Sequence, residues 1–322
     1  MDTTARIFIT GHRGLVGGAL VRACTRHGYT RQLVRTHAEL DLCDQAAVRA
    51  FFAQERPSHV VVAAGRVGGI VANSTRRAEF LYDNLMIAIN VIDAAYRHGV
   101  QKLLYLGSSC IYPRDCQQPM REDHLLSGRL EATNEPYAVA KIAGIKLVEN
   151  YNRQYGCNFI SAMPTNLYGE NDNFDLTGSH VLPAMMRKFH EAKLADHGPV
   201  TLWGSGNVRR EFLHVDDLSE ACLFLLERVD AGTVPGELIN VGTGTDLSIR
   251  ELALLVQQVV GHRGEIRWDA GKPDGTPRKL LDVSRLKQLG WVASIPLEQG
   301  IRATYRWFVE QGELGLALRS GH

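Results

Sequence analysis

The sequence predicts an α/β protein, a doubly wound parallel sheet of the Rossmann type with a smaller C-terminal lobe that binds substrate. Three observations predict it. Short apolar runs alternate with amphipathic helical stretches through the first half, the pattern of parallel strands joined by right-handed crossovers. A glycine-rich turn follows the first run and opens a helix. The length, 322 residues, suits one large α/β domain with an attached lobe at about 150 residues per domain.

The elements follow in order. Residues 6–10 (RIFIT) read as a buried strand and 14–28 as a helix with Leu15, Leu20 and Val21 on its apolar face. Residues 32–35 are a second strand, and 44–55 a helix with Ala47, Val48, Phe51 and Phe52 inward. A third strand at 58–63 (SHVVVA), a long helix at 78–98 and a fourth strand at 102–107 (KLLYLG) come next. A helix at 136–155 and a strand at 159–163 complete the regular part. After about residue 165 the pattern loosens. Stretches 169–179, 204–207 and 271–277 read as loops, while 212–215 and 238–241 still read as strands of the sheet. Residues 1–165 with about 209–244 form the expected Rossmann domain; about 166–208 and 245–322 form the expected lobe.

Composition narrows the function. Lys and Arg total 36 against 35 Asp and Glu, too balanced for a general nucleic-acid or membrane-surface binder. No apolar run reaches the ~18 residues of a membrane span, and the first residues lack a signal-peptide pattern. The six cysteines are scattered without C-x-x-C, which argues against a metal site or disulfide framework and for a cytoplasmic location.

The glycine turn runs Gly11-His12-Arg13-Gly14-Leu15-Val16-Gly17. Glycines allow a tight turn and close approach to a pyrophosphate, and the helix N-terminus offers N–H donors and a positive dipole end. A dinucleotide site of the NAD type wants an acid near the end of the second strand. Here that place reads Leu33-Val34-Arg35-Thr36-His37, with no acid before Glu39. Arg35, with Arg13, suits a 2′-phosphate, so NADP(H) is favoured over NAD; the bland alternative is that Arg35 is a solvated strand-end charge.

Tyr137 and Lys141 lie four apart at the start of a helix, on one face. A nearby ammonium favours the phenolate, and the expectation is that Lys141 lowers the Tyr137 pKa. Ser108 ends the fourth strand, at the sheet edge where open α/β folds bind ligands.

The glycine loop, strand-end serine and Y-x-x-x-K resemble the extended short-chain dehydrogenase/reductases. The strings RVGGIVAN, LGSSCIYP, NEPYAVAKIAGIKL, MPTNLYG, GSHVLPA, REFLHVDDL and KPDGTPRKLLD are similar to the GDP-L-fucose synthase branch of that family. The resemblance covers residues 6–308. It implies 3,5-epimerisation and NADPH-dependent 4-reduction of GDP-4-keto-6-deoxy-D-mannose, carried out by a homodimer. It implies Ser108, Cys110, Tyr137, Lys141 and His180 as catalytic residues, with Cys110 the base and His180 the acid. It implies a cofactor lying along the glycine loop, Arg35, Leu106, Gly107, Ser108, Ser109, Lys141, Pro164, Thr165, Asn166, Leu167 and His180. Asn166, Lys188, Trp203, Arg210, Asp274 and Lys279 are the implied substrate contacts. Lys188 and His37 stand where the family pattern has Arg. A GDP-colitose or GDP-deoxyheptose enzyme with the same acid and base remains an alternative, as does a non-catalytic NADP-binding sensor. A 4,6-dehydratase would need an acidic pair where this chain has Ser109-Cys110.

Overall fold

The structure, a computed structural model, describes residues 1–176, 178–272 and 274–315. Thr177 and Pro273 of the expected loops and residues 316–322 of the expected lobe lie outside the described residues.

Six parallel strands form the central sheet: β1 (Ile7–Ile9), β2 (Gln32–Leu33), β3 (His59–Val62), β4 (Lys102–Leu106), β5 (Phe159–Pro164) and, later in the chain, β10 (Leu238–Val241). Their order is β10-β5-β4-β3-β1-β2, the doubly wound arrangement in which the strand order reverses beside β1. Successive side chains point to opposite faces, and the core divides accordingly. Phe8, Val60, Val62, Leu103 and Tyr105 pack toward α2 (Gln45–Glu55), α4 (Arg77–Arg97) and α5 (Glu135–Tyr155). Ile7, Ile9, Val61, Leu104 and Leu106 pack toward α1 (Leu15–Arg26) and α7 (Val215–Arg228). A six-residue helix, α3 (Ile70–Thr75), precedes α4.

Local chemistry sets the helix ends. Asp44 caps α2 by accepting from the N–H groups of Ala46 and Ala47. Pro136 occupies the first turn of α5, and Gly156 in the left-handed region stops it.

The rest of the described residues build three small sheets. β6 (Asn166–Tyr168) pairs with β9 (Phe212–His214); β7 (Val200–Trp203) pairs with β12 (Ile266–Asp269); and β8 (Arg209–Arg210) lies between β11 (Leu247–Ser248) and β13 (Arg278–Lys279). Residues 212–215, expected in the main sheet, are therefore not part of it. β9 takes β6 as its partner, because β10 already occupies the edge beside β5. The helices α6 (Val181–Leu194), α8 (Ile249–Val260) and α10 (Leu297–Gly315) enclose a third core around Leu182, Met186, Phe189, Leu252 and Val256. Ser248 and Glu251 make a capping box at the start of α8, and α9 (Ser284–Gln288) closes the return to the main sheet.

One buried carboxylate ties these parts together. Glu211, between β8 and β9, is fully buried. Its Oε1 accepts from the backbone N–H groups of Thr243 (2.6 Å) and Gly244 (2.7 Å), and its Oε2 from that of Leu281 (3.0 Å). Burial pushes its pKa up, against these hydrogen bonds. Glu211→Ala leaves three donors without partners, at a cost on the order of 3–5 kcal/mol. The thermal midpoint is expected to fall by roughly 5–10 °C; an unchanged midpoint in calorimetry contradicts this role.

Candidate active site

The glycine loop folds back on itself so tightly that side chains are excluded. Gly11 has φ +71°, and a Cβ on Gly17 would lie 2.2 Å from the Gly11 carbonyl oxygen. Helix α1 begins at once, with no side-chain cap at Gly14 and no acid in its first turn. Its first N–H groups and its positive dipole end are thus left for an anion. Gly17→Ala is expected to weaken NADPH binding at least tenfold. Titration of cofactor fluorescence checks it, and wild-type affinity in the folded variant contradicts it.

At the ribose end, Arg35 stacks over Phe51 (5.2 Å) and donates to Glu55 Oε1 (2.7 Å) and the Val34 carbonyl (2.8 Å). Arg13 is exposed at the mouth of the loop. Both guanidinium groups act on Glu39, whose carboxyl sits below its ordinary pKa mainly through hydrogen bonds from Thr36. His12 lies half-buried inside the loop, and Leu15 and Val16 open α1.

The catalytic candidates converge at the end of β4. A Cβ on Gly107 would lie 2.3 Å from Met163 Sδ, so glycine lets β4 run hard against β5. Ser108 then caps a short 3₁₀ turn, Ser109–Ile111. Its Oγ accepts from the Cys110 thiol at 3.0 Å. Asn134 Nδ2 donates to the Cys110 carbonyl at 3.4 Å. On α5, Gly144 allows close packing against the Tyr105 ring, where a Cβ would come within 2.4 Å. That approach brings Tyr137 and Lys141 over the strand end. Lys141 Nζ donates to the Leu106 carbonyl (2.9 Å) and lies 5.8 Å from the centre of the Tyr137 ring.

Burial dominates the electrostatics. It pushes Lys141 down to about 8. It raises Tyr137 well above the ordinary phenol value, the Cys110 and Tyr105 groups adding to the rise and a hydrogen bond with Ser108 opposing it. The expected lowering of Tyr137 by Lys141 is therefore not seen in the free protein. The cause is desolvation, which disfavours both charged forms at once.

His180 stands exposed at the N-cap of α6. Its pKa is lowered, by desolvation and then by Lys279. Lys279 lies on β13 directly beside Arg210 on β8. Arg210 donates to its neighbour's carbonyl, Arg209 O (2.7 Å). Asp274 accepts from both the backbone N–H (2.7 Å) and hydroxyl (2.8 Å) of Ser205. Trp203 is 58% exposed, with Lys188 and Lys272 ammonium groups 5.9 and 5.3 Å from its ring centre. Lys188 also donates to the Thr201 carbonyl (3.0 Å). Asn166 Nδ2 donates to the Glu211 carbonyl (2.7 Å), as does the Thr165 hydroxyl (3.3 Å). Pro164 ends β5, and Leu167 packs onto the α1/α7 core.

Three residues escaped the sequence reading: Glu211, Glu131 and Asn134. For Glu211 the signal was present, an acid set inside the apolar run RREFLHV. Glu131 and Asn134 lie in a polar stretch without periodicity, and only the fold brings them to Cys110 and Lys279.

Residues 7–242 match the NAD dependent epimerase/dehydratase family. The chain belongs to this family. Among its epimerase/dehydratase relatives, a GDP-L-fucose synthase of Escherichia coli (strain K12) is 55% identical over 310 residues, covering 95% of this chain and 97% of that one. GDP-L-fucose synthase 1 of Arabidopsis thaliana is 55% identical over 309 residues, covering 96% and 94%. A solved structure of MlghC, a GDP-mannoheptose C4 reductase from Campylobacter jejuni with NADP bound, superposes with TM-score 0.90. It is 39% identical and covers 96% of this chain and 99% of that one.

Proposed function

We propose that this protein is an NADPH-dependent 3,5-epimerase/4-reductase that converts GDP-4-keto-6-deoxy-D-mannose to GDP-L-fucose. The observation that carries the reading is the meeting of Ser108, Cys110, Tyr137 and Lys141 at one strand end. The 55% identity to GDP-L-fucose synthases over nearly the whole chain favours this substrate over related GDP-4-keto sugars.

In this reading Ser108 and Tyr137 donate hydrogen bonds to the C4 oxygen of the sugar. That acidifies the C–H groups at C3 and C5, because the electron pair left on deprotonation is held as an enolate. Cys110, as thiolate, takes the proton from one face; His180, as imidazolium, returns one on the other. NADPH, when bound, supplies the hydride that reaches C4. Tyr137 gives its proton to the C4 oxygen in that step. Its raised pKa suits the task, since the phenol stays protonated until it is used. Lys141 would hold the nicotinamide ribose. Arg210, Lys279 and Lys188 face the diphosphate, Trp203 and Asp274 border the nucleotide, and Asn166 borders the sugar. Arg13 and Arg35 would hold the 2′-phosphate. The sheet with its two flanking cores is the cofactor domain, residues 1–165 and about 209–244, and the third core is the substrate lobe. NADPH oxidation that depends on the keto sugar tests the reading. No oxidation by folded, NADPH-binding protein contradicts it.

The proposed assembly is a homodimer through α4 and α5. Their outer faces expose Tyr82, Ile89, Tyr96, Val139 and Tyr155, with Tyr96 and Tyr155 stacked at 4.3 Å. Such a patch is characteristic of an interface. A monomer mass by light scattering contradicts it. Among the described residues no helix is long and apolar enough to cross a membrane. All six cysteines are free, which supports a reducing cytoplasmic location; membrane-pelleted activity in fractionation contradicts it.

A further inference from the structure

The string RVGGIVAN, residues 66–73, is not used by the chemistry described above, yet it runs along the site. At one end, a Cβ on Gly65 would lie 3.6 Å from Lys141 Nζ. At Gly69, a Cβ would lie 3.5 Å from the carbonyl oxygens of both Gly178 and Ser179. Gly69 closes that second contact with a hydrogen bond, its backbone N–H donating to the Gly178 carbonyl (3.2 Å). His180 follows directly after Ser179. The segment itself is held from both sides. Behind Gly69, the buried Asn73 side chain donates through Nδ2 to the carbonyls of Gly68 (2.7 Å) and Gly69 (3.1 Å). Ahead of it, Asn84 of α4 accepts from the Arg66 N–H (3.1 Å) and donates to the Arg66 carbonyl (3.0 Å). A Cβ on Gly68 would lie 3.3 Å from Phe80 Cζ, so the segment packs hard against α4.

We infer that the Gly69–Gly178 hydrogen bond, locked by Asn73, is the latch that sets the position of His180, and that Gly69 and Asn73 are positioning residues of the epimerisation. This rests on the reading of His180 as the acid. The His180 side chain makes no capping bond at the start of α6, so its ring goes where its backbone goes. That backbone has local anchors on both sides. The Ala184 N–H donates to the His180 carbonyl (3.1 Å) in the first turn of α6. Asp175 holds the preceding turn, accepting from the Gly178 N–H at Oδ1 (2.8 Å) and from the Ser179 N–H at its carbonyl (3.0 Å). Both anchors belong to the same stretch of chain as His180 and move with it. The Ser179 hydroxyl is buried without a hydrogen-bond partner and adds no anchor. The Gly69 bond crosses instead to a segment fixed on α4 that passes Lys141. It therefore refers His180 to the strand end where Ser108, Cys110, Tyr137 and Lys141 meet. Proton transfer needs its donor within hydrogen-bond reach, and a displacement of about 1 Å can cost about 10²-fold. Tyr137 and Lys141 are carried by α5, so the proton used in reduction does not depend on the latch.

The test uses two substitutions at Gly69 in the full-length protein. Gly69 has φ −68°, the angle that proline fixes, so Gly69→Pro fits the backbone and removes the N–H. Gly69→Ala keeps the N–H, and its Cβ meets both carbonyl oxygens at ordinary contact distance. Without substrate, hydrogen exchange follows the Gly178 and Ser179 amides, both bonded to Asp175. They are expected to exchange about tenfold faster in Gly69→Pro and at the wild-type rate in Gly69→Ala. With GDP-4-keto-6-deoxy-D-mannose, the rate of inversion at C3 and C5 is compared, on one preparation, with NADPH-dependent reduction of a ketone that needs no epimerisation. Gly69→Pro is expected to lower that ratio about tenfold, and Gly69→Ala by less than about twofold. A merely structural role lowers both rates together; an unchanged ratio in Gly69→Pro therefore overturns the proposal, as does unchanged amide exchange. If Gly69→Pro does not fold, Asn73→Ala, which keeps the N–H but frees its peptide, should lower the ratio about threefold or more. An unchanged ratio in that variant overturns the proposal. A protein whose amides respond to Gly69→Pro as expected, yet whose wild type never acts on the keto sugar, keeps the latch and sinks the proposed substrate instead.

Discussion

Tyr137→Phe is expected to lower the reduction rate by about 10²- to 10⁴-fold, the usual worth of a positioned proton donor. Phenylalanine keeps the buried ring and its approach to the Lys141 ammonium. What is lost is the proton that the C4 oxygen receives as hydride arrives. Deuterium exchange at C3 and C5 should suffer less, because Ser108 still donates to the same oxygen. The two rates are separable on one substrate: NADPH consumption reports reduction, and NMR in heavy water reports exchange. A variant that loses exchange more than reduction reverses the roles of Tyr137 and Cys110.

Cys110→Ser is expected to slow deuterium entry at C3 and C5 by 10²-fold or more. A serine hydroxyl ionises far less readily than a thiol, while its size and its contact with Ser108 are nearly retained. The residues that assist reduction, Ser108, Tyr137 and Lys141, remain in place. Hydride transfer to a ketone that needs no epimerisation should therefore persist. Equal loss of both activities removes Cys110 from the proton-transfer step and leaves it a packing residue.

Much of the fold is written in periodicity. The buried strands β1, β3, β4 and β5 are continuous apolar runs, since both faces of a parallel sheet are covered, and two of the helices between them show their ends locally, α2 at its Asp44 cap and α5 at Gly156. Residues 212–215 are as apolar as any of these, and the run alone does not say which sheet takes it. The occupied edge beside β5 decides, and that is a long-range fact. The site was legible where chemistry is local: the glycine turn, the i, i+4 pair Tyr137 and Lys141, and Ser108 next to Cys110. The ionisation of Tyr137 was misread, because spacing shows a neighbouring charge but not the desolvation that outweighs it. Glu211 and Glu131 act through backbone groups 30 or more residues away or through a cleft wall, and no short motif displays such contacts.

The most direct measurement is the identity of the product formed from GDP-4-keto-6-deoxy-D-mannose and NADPH in heavy water, read by NMR. The account predicts one NADPH consumed per sugar and GDP-L-fucose with deuterium at C3 and C5. A reduced sugar that keeps its starting configuration and its protons at both carbons would contradict it, leaving a C4 reductase in which Cys110 and His180 move no protons.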